Sequence, residues 1–598
     1  MKIKLLMGNE AIAQGAIRAG VNVVSGYPGT PSTEVLETIA MDTSREIYVE
    51  WSVNEKVALE VAAGAAYTGA RSLVTMKQVG LNVASDPLMS LAYIGVKGGM
   101  VILVADDPGP ISSQTEQDTR HFARFAHLPI FDPATPEEAY EMIGEAFTLS
   151  EKYGTPVLFR PTTQVCHACA SVEIKDDIYS KEIEGFVKDP KWVIFPRLSY
   201  QNHFKIVENE AKISEEFSAS PYNKILGKGR RGIVGCGANF TYVTEVLENN
   251  TDDVKIMKLT TPHPFPDKLA LKFLEGVEEV LVVEELDPVV EENLLRLCGK
   301  MGLKIIIKGK LTGHLSVAGK YSYESVKSAI DEFLEKDRTP VEKIVGLPPL
   351  PIRPPVLCAG CPHRASFYSV KMAMKRAKQE AIFTGDIGCY TLGNAKPLDM
   401  VDTCLCMGAG ITIAQGLERA QQQAKKIAFI GDSTFFHTGI SGIINAVYNE
   451  TDITVIILDN STTAMTGHQP HPGTGKTMMG NIAGKISIEN VLRGCGVGFV
   501  KKANPLDFEA AIAVVTEATE YKGVSVVIFE APCIAIIKPN KIQRVKENCI
   551  GCKKCIKEIG CPAMSSKENK VEIHPDLCYG CQLCTNTCPV KAVGGAEQ

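Results

Sequence analysis

Polar residues follow two successive apolar segments in the last third of the chain. Gly431-Asp432-Ser433 follows segment 427–430, and Asp459-Asn460 follows segment 453–458. This pattern predicts two strands over these segments and an intervening helix over about 439–448. Because the carboxyl ends of parallel strands meet at one edge of a sheet, both polar groups should converge there. A carboxylate, an amide oxygen and a backbone carbonyl suit Mg²⁺ that also binds water and cofactor phosphates. An ordinary turn of an α/β sheet is the alternative interpretation.

Cysteine is concentrated near the end of the sequence, where eight of the 19 cysteines lie between residues 549 and 588. They form two runs, each with three cysteines at two-residue spacings and a fourth before proline. The second run matches the bacterial ferredoxin pattern, in which the fourth cysteine ligates the other cluster. One predicted [4Fe–4S] set is therefore Cys549, Cys552, Cys555 and Cys588, and the other is Cys578, Cys581, Cys584 and Cys561.

Zinc is the alternative for this cysteine-rich segment. Closed zinc sites need neither a third cysteine two residues further on nor the crossed Cys-Pro. Five residues separate Cys555 from Cys561, two more than the ferredoxin pattern has, so the first run departs from it there.

Composition limits the class of protein. The 598 residues are 45% hydrophobic and 22% charged, with a net charge of −6, as expected for a soluble globular chain of roughly four domains. Neither a basic cluster nor an apolar run of about 20 residues stands out, which argues against nucleic-acid binding and membrane spanning. The N-terminus lacks the features of a secretory signal, so we expect a cytoplasmic protein whose cysteines serve metal or redox chemistry.

Glu55 is a second candidate for chemistry, because it precedes a helix of small residues predicted over Val57–Tyr67. An acidic residue at this place is ordinarily a partner for the helix dipole. Upstream, the turn Tyr27–Thr33 contains Thr30 and Ser32, whose hydroxyls are predicted to cap the following helix.

The spacing from Gly431-Asp432-Ser433 to Asn460 resembles the signature of thiamine-diphosphate enzymes. The turn Tyr-Pro-x-Thr-Pro-Ser, followed by a glutamate entering an Ala/Gly-rich helix, resembles the pyrimidine domain of 2-oxoacid:ferredoxin oxidoreductases. This resemblance implies Mg²⁺ ligation by Asp432, Asn460 and the Thr462 carbonyl. It also implies contacts to the cofactor from Gly431, Ser433, Met465 and Thr466.

The same resemblance assigns two catalytic roles in the first domain. Glu55 would hydrogen-bond the aminopyrimidine ring of the cofactor, which promotes loss of the proton from its reactive carbon. Thr30 would contact the carboxylate of the substrate. Where pyruvate-specific relatives carry an arginine, this chain has Asp106-Asp107, so we do not expect pyruvate as the substrate. Residues 112–114 and 117–118 either line the pocket or satisfy a polar loop.

A third cluster is a further implication of the resemblance. Its ligands would be the cysteines that match a set close to the thiamine, namely Cys358, Cys361, Cys389 and Cys533. The alternative is that these thiols are packed, and that His363-Arg364 faces cofactor or substrate.

The order of segments, with the strings GYPGTPST, LCAGCPHR and DIGCYTLG, is most similar to the α subunits of the indolepyruvate branch of that family. The fold expected is α/β, with three doubly wound domains and a small α+β ferredoxin-like domain. The domains are predicted as pyrimidine-binding (1–185), transketolase C-terminal-like (186–345), diphosphate- and Mg²⁺-binding (346–540) and two-cluster ferredoxin-like (541–598). Residues 181–221 are predicted to be an irregular excursion and 346–355 a stiff polyproline linker.

The resemblance implies oxidation of arylpyruvates with coenzyme A to aryl-acetyl-CoA and CO₂, with electrons passed to ferredoxin. It also implies a smaller β subunit and therefore a hetero-oligomer. Two other functions remain open: a non-oxidative thiamine decarboxylase or carboligase with an attached cluster domain, and an electron-relay subunit with a vestigial thiamine site. Another 2-oxoacid as substrate also remains open.

Overall fold

The computed structural model describes residues 2–43, 46–180, 182–248, 253–336, 348, 351, 354–421, 423–568 and 570–595. They form two compact units, an N-terminal unit within residues 1–345 and a C-terminal unit within residues 346–598. Most of the predicted linker 346–355 lies outside the described residues. Within the described part of the chain, no helix is both long enough and apolar enough to span a membrane.

The N-terminal unit alternates strands and helices. Its strands are β1 (Lys2–Met7), β2 (Val23–Gly26), β3 (Tyr48–Trp51), β4 (Ser72–Lys77), β5 (Met100–Ala105), β6 (Ile130–Phe131), β7 (Val157–Phe159), β8 (Cys169–Ile174), β9 (Lys224–Leu226), β10 (Arg231–Cys236), β11 (Val254–Leu259), β12 (Glu279–Val283) and β13 (Ile306–Lys308). Its helices are α1 (Gly8–Arg18), α2 (Thr33–Met41), α3 (Glu55–Tyr67), α4 (Gln78–Val83), α5 (Ser85–Ile94), α6 (Arg120–Ala126), α7 (Pro136–Tyr153), α8 (Thr163–His167), α9 (Pro196–Ser218), α10 (Asn239–Val246), α11 (Asp267–Leu274), α12 (Val289–Met301) and α13 (Tyr323–Phe333).

Two sheets organise this unit. The first has the strand order β3-β2-β4-β5-β7-β6 and is parallel throughout. Its apolar strands are buried, as parallel sheets covered by helices require, and the small residues of α3 pack against it. The second sheet has the order β13-β12-β10-β11-β9 and is parallel except for its edge strand β9.

Two predictions for this unit are wrong. Residues 181–221 are not irregular throughout, because α9 occupies Pro196–Ser218. This helix has a polar sequence that buries little besides Ile213 and Phe217, so it lacks the broad apolar stripe by which helices are recognised. Ser32 lies at the N-cap of α2 but does not cap it with its side chain. Its hydroxyl instead donates to the carbonyl of Gly29 at 2.9 Å, which closes the preceding turn.

The C-terminal unit contains one five-stranded parallel sheet in the order β14-β15-β16-β18-β17, and two antiparallel strand pairs, β19 with β22 and β20 with β21. Its strands are β14 (Ala381–Thr384), β15 (Lys425–Gly431), β16 (Thr454–Asp459), β17 (Phe499–Ala503), β18 (Ser525–Glu530), β19 (Gln543–Val545), β20 (Met564–Lys567), β21 (Lys570–Ile573) and β22 (Val593–Gly595). Its helices are α14 (Pro362–Ala377), α15 (Ala409–Ala420), α16 (Asp432–Thr434), α17 (Ile440–Tyr448), α18 (Ile488–Gly494), α19 (Phe508–Glu520), α20 (Lys554–Ile559) and α21 (Leu583–Thr587).

The predicted strand–helix–strand unit is present as β15, α16–α17 and β16, but its helix begins seven residues earlier than predicted. Asp432 is already helical, and a π-helical turn over Phe435–Gly439 joins α16 to α17. Phe435 and Phe436 are buried within this turn, and their packing favours helix where the sequence suggested a loop. π-helical turns of this kind occur often at functional sites.

Candidate functional site

The Asp432 carboxylate lies where β15 and β16 end side by side, with Gly431 opposite Leu458 in the parallel register. Its Oδ1 accepts a hydrogen bond from Ser433 N at 2.9 Å, and its Oδ2 accepts one from Ser461 N at 2.8 Å. The residue is only 3% exposed. The structure therefore brings the two polar groups together at one sheet edge.

Two further ionisable groups face Asp432. His471 Nε2 lies 3.1 Å from Asp432 Oδ2 and donates to it. Burial opposes ionisation of Asp432, but this contact holds its pKa below the usual range. Burial and the neighbouring Asp432 charge raise the pKa of Asp459 to about 6. The two closely placed carboxylates of Asp432 and Asp459 form a donor set suited to a hard divalent cation such as Mg²⁺.

The remaining residues implied at this site lie in one segment after β16. Asn460 and Thr462 are buried, and Asn460 Oδ1 accepts a hydrogen bond from Thr462 N at 3.2 Å. Met465 is 54% exposed, and Thr466 Oγ1 donates to Gln469 Oε1 at 2.6 Å. This segment is therefore tightly turned, with Asn460 and Thr462 inside it and Met465 at its surface.

His363, at the start of α14, contacts this same site. Asn460 Nδ2 donates to His363 Nε2 at 3.2 Å, and complete burial lowers the His363 pKa to about 4. The imidazole is thus neutral and accepts a hydrogen bond, which fixes the orientation of the Asn460 amide. The neighbouring Arg364 has different partners, because it donates to carbonyls of the cysteine-rich tail.

Glu55 lies in the N-terminal unit, as the first residue of α3. Asn54 caps this helix by accepting a hydrogen bond from Val57 N at 2.9 Å. The Glu55 side chain is 5% exposed and lies against Gly80 of α4, where an added Cβ would be 2.6 Å from Glu55 Oε1. A solvated partner of the helix dipole would not be enclosed in this way, so the enclosure favours a specific role for the acid.

Thr30 belongs to the turn after β2, and a lysine that sequence reasoning missed lies beside it. Lys77 ends β4, and its side chain packs over Gly29, where an added Cβ would be 3.0 Å from Lys77 Cδ. Lys77 Nζ donates to the carbonyl of Ser112 at 3.0 Å, and Ser112 Oγ donates to the carbonyl of Thr30 at 3.1 Å. Burial lowers the Lys77 pKa, whereas the nearby Asp107 and Glu55 charges oppose this effect.

The two acids in place of the expected arginine have structural partners. Arg160 Nε pairs with Asp106 Oδ2 at 2.7 Å, and both residues are buried. Asp107 Oδ2 accepts hydrogen bonds from the backbone N–H groups of residues 111, 112 and 113. Asp118 forms a buried ion pair with Arg120 at 2.6 Å. These contacts favour the polar-loop interpretation for residues 112, 113 and 118.

The four cysteines implied for a third cluster lie around the same sheet edge. Burial, together with the neighbouring Cys533 and Cys358 thiols, raises the Cys389 pKa to about 11. Burial raises the Cys361 pKa to about 12, and Cys358 adds to this shift. Cys533 N donates to the carbonyl of Asn460 at 3.0 Å. This cysteine set is therefore joined directly to the predicted magnesium ligand Asn460.

The structure brings together all four thiols of one predicted tail set and three thiols of the other. One cavity is lined by the four thiols predicted to share a cluster, those of Cys561, Cys578, Cys581 and Cys584. In the other set, Cys588 and Cys552 both neighbour Cys555, whose pKa is raised by burial and then by these thiols. Four soft sulfur donors around one cavity are the donor set that an iron–sulfur cluster requires.

Two segments of this chain, and the chain as a whole, are similar to known proteins. Residues 14–202 match the family described as pyruvate flavodoxin/ferredoxin oxidoreductase, thiamine diphosphate-binding, and residues 386–529 match the C-terminal TPP-binding domain of thiamine pyrophosphate enzymes. The indolepyruvate oxidoreductase subunit IorA of Methanothermobacter thermautotrophicus is 43% identical over 98% of this chain and 96% of its own. The corresponding subunit of Archaeoglobus fulgidus is 41% identical over 99% and 97%. A 2-oxoglutarate synthase subunit KorA from the same organism is 23% identical over 50% of this chain and 92% of its own.

The parallel sheets and the two matching domains define a thiamine-diphosphate-binding oxidoreductase. Within that class, the chain belongs to the family of indolepyruvate oxidoreductase subunits IorA.

Proposed function

We propose that this chain is the catalytic subunit of an enzyme that oxidatively decarboxylates arylpyruvates, indolepyruvate in particular. Coenzyme A accepts the acyl group, aryl-acetyl-CoA and CO₂ are the products, and electrons leave through iron–sulfur clusters to ferredoxin. A smaller β subunit completes the enzyme, as the subunit names of the relatives suggest.

One observation supports this proposal above the others: the first turn of α14 contacts both the predicted thiamine site and the cysteine-rich tail. His363 contacts Asn460 of the predicted magnesium site, and Arg364 contacts the tail that carries the ferredoxin-type cysteines. A simple decarboxylase has no use for electron carriers at this place. An enzyme that removes electrons from a thiamine-bound substrate requires them there.

The proposed roles follow from the contacts of each residue. Asp432, Asn460 and the Thr462 carbonyl hold Mg²⁺ and through it the diphosphate, and Glu55 hydrogen-bonds the aminopyrimidine. When bound, thiamine diphosphate supplies a nucleophilic carbon that attacks a 2-oxoacid carbonyl and accepts the electrons released on loss of CO₂. His471 keeps Asp432 ionised and oriented for the metal.

Lys77 supplies the positive charge that an arginine supplies in the pyruvate-specific relatives. It lies beside Thr30 through their shared contacts with Ser112, and among the described residues its ammonium donates one hydrogen bond, to Ser112. An ammonium group binds a carboxylate as a point charge, without the bidentate geometry of arginine. We therefore assign the substrate carboxylate to Lys77 and Thr30.

The eight tail cysteines hold two [4Fe–4S] clusters in the crossed pairing, and Cys358, Cys361, Cys389 and Cys533 hold a third. The third set is adjacent to Asn460, so it would take electrons from the thiamine first. The set with Cys561 lines a cavity together with Cys361, and this proximity supports its position as next in order.

The proposed function is tested on the complex with its β subunit, purified without oxygen. Ferredoxin reduction is measured with coenzyme A and, in turn, indolepyruvate, phenylpyruvate, pyruvate and 2-oxoglutarate. We expect reduction with the two arylpyruvates and a much weaker response to pyruvate. Release of aldehyde without ferredoxin reduction would refute the proposal and identify a non-oxidative decarboxylase.

A further inference from the structure

Arg364 is a buried cation, 5% exposed, on the first turn of α14. Its Nη1 donates to the carbonyls of Ile559 at 2.6 Å and Gly560 at 3.0 Å, and its Nη2 donates to the carbonyl of Leu357 at 2.5 Å. These three acceptors come from two distant parts of the chain and hold the planar guanidinium in one orientation. The side chain therefore links the tail to the start of α14 through hydrogen bonds.

The ionisable neighbours of this guanidinium are chiefly thiols rather than carboxylates. They are the thiols of Cys561, Cys361, Cys581 and Cys358. Two of them belong to a tail cluster set and two to the third set. Arg364 thus lies between two predicted clusters, and both sets would present negative sulfur to it once loaded with iron.

One hydrogen-bond donor of Arg364, its Nε–H, is buried and has no partner among the described residues. Arg364 lines the same cavity as Cys561, Cys578, Cys581 and Cys584. Buried donors of charged groups are almost always satisfied in native proteins, so an acceptor belongs in this cavity. Sulfur atoms of a cluster held by these four cysteines would provide one.

We propose that Arg364 is a positioning residue that donates a hydrogen bond to the cluster held by Cys561, Cys578, Cys581 and Cys584 and raises its reduction potential. The inference rests on the proposed function for the ligand set. Reduction adds one negative charge to a cluster. A buried cation and an N–H···S bond both stabilise the reduced form, and hydrogen bonds to sulfur are recognised determinants of cluster potential.

The consequence concerns the direction of electron flow. Raising the potential of this cluster makes it a better acceptor for electrons that arrive from the cysteine set beside Asn460. Arg364 also neighbours Cys358 and Cys361 of that set. Because Arg364 lines the tail cavity with all four thiols of the tail set, the larger effect is on the tail cluster.

The test is a redox titration of the anaerobically purified complex followed by electron paramagnetic resonance, with the tail signal assigned through Cys578→Ser. In Arg364→Gln we expect a tail-cluster potential more negative by about 59 mV, a tenfold fall in the reduced-to-oxidised ratio at fixed potential. In Arg364→Lys, which keeps the charge but loses the fixed fork, we expect a smaller shift in the same direction and an altered signal.

Arg376→Gln is the matched control, because Arg376 lies on the same helix, is half exposed and pairs with Glu509. It should leave all potentials unchanged. Wild-type potentials and signals in both Arg364 variants, with full iron content, would overturn the inference, as would equal shifts of all clusters. If the Arg364→Gln variant loses its tail cluster, the Arg364→Lys variant alone is compared with the wild type. An unchanged potential and an unchanged signal in that variant would then overturn the inference. Absence of iron–sulfur signals in the wild-type complex would instead refute the proposed function.

Discussion

Replacing Gly80 by alanine tests whether Glu55 acts through a fixed position. An alanine Cβ at residue 80 would lie 2.6 Å from Glu55 Oε1 and 2.8 Å from its Cγ. Restoring an ordinary van der Waals separation requires the carboxylate to move by about 0.8 Å. Gly80 lies in helix α4, where alanine is favoured over glycine by about 1 kcal/mol. The substitution should therefore displace the acid without destabilising the helix.

The displacement should appear in turnover rather than in stability. A misplacement of about 1 Å in a catalytic group costs about a hundredfold in rate, so we expect kcat to fall between about 10- and 100-fold. The assay is indolepyruvate-dependent ferredoxin reduction by the complex, alongside thermal unfolding of the same sample. In Glu55→Gln we expect no turnover with fold and clusters intact. Adding Gly80→Ala to that variant should change nothing further, because the two substitutions act on one group.

Gly64→Ala is the control, since Gly64 is exposed on α3 and an added Cβ there meets nothing within 4 Å. It should retain wild-type turnover. Wild-type turnover in Gly80→Ala would refute the reasoning about Glu55. A large drop in its melting temperature would refute the claim that only the carboxylate moves.

Three further predictions concern the metal and the substrate. Asp432→Ala should abolish Mg²⁺-dependent binding of thiamine diphosphate, measured by calorimetry; unchanged cofactor retention would contradict the assignment. Lys77→Met should raise KM for the arylpyruvate by about tenfold or more with a smaller effect on kcat, whereas an unchanged KM would remove Lys77 from substrate binding. Because the Asp459 pKa is raised to about 6, the carboxylate beside Asp432 loses its negative charge below that pH, and Mg²⁺ affinity should fall by up to about tenfold from pH 7 to pH 5. Asp459→Asn should flatten this dependence, and an equally steep dependence in that variant would assign it to another group.

Local patterns in the sequence were sufficient for the elements around the candidate site. The apolar segments before Gly431 and Asp459 became adjacent parallel strands, because strand periodicity and strand-end polarity are short-range features. Four thiols that the cysteine spacing assigned to one cluster line one cavity, together with Cys361. The polar helix α9 was missed, since it carries no broad apolar stripe. The early helix start at Asp432 was missed because burial of two phenylalanines, not local propensity, decides it.

The sequence by itself determined the chemistry available to this protein: the acids, the amide and the cysteines, and the family to which their spacing belongs. Only the tertiary structure decided which other side chains contact these acids, this amide and these cysteines. His471 and His363 contact the predicted magnesium site, Lys77 contacts Ser112 beside Thr30, and Arg364 contacts the tail across long stretches of chain. Such contacts depend on the packing of distant segments, which leaves no spacing pattern in the sequence. Burial then sets the charge of each group, and burial is a property of the fold alone.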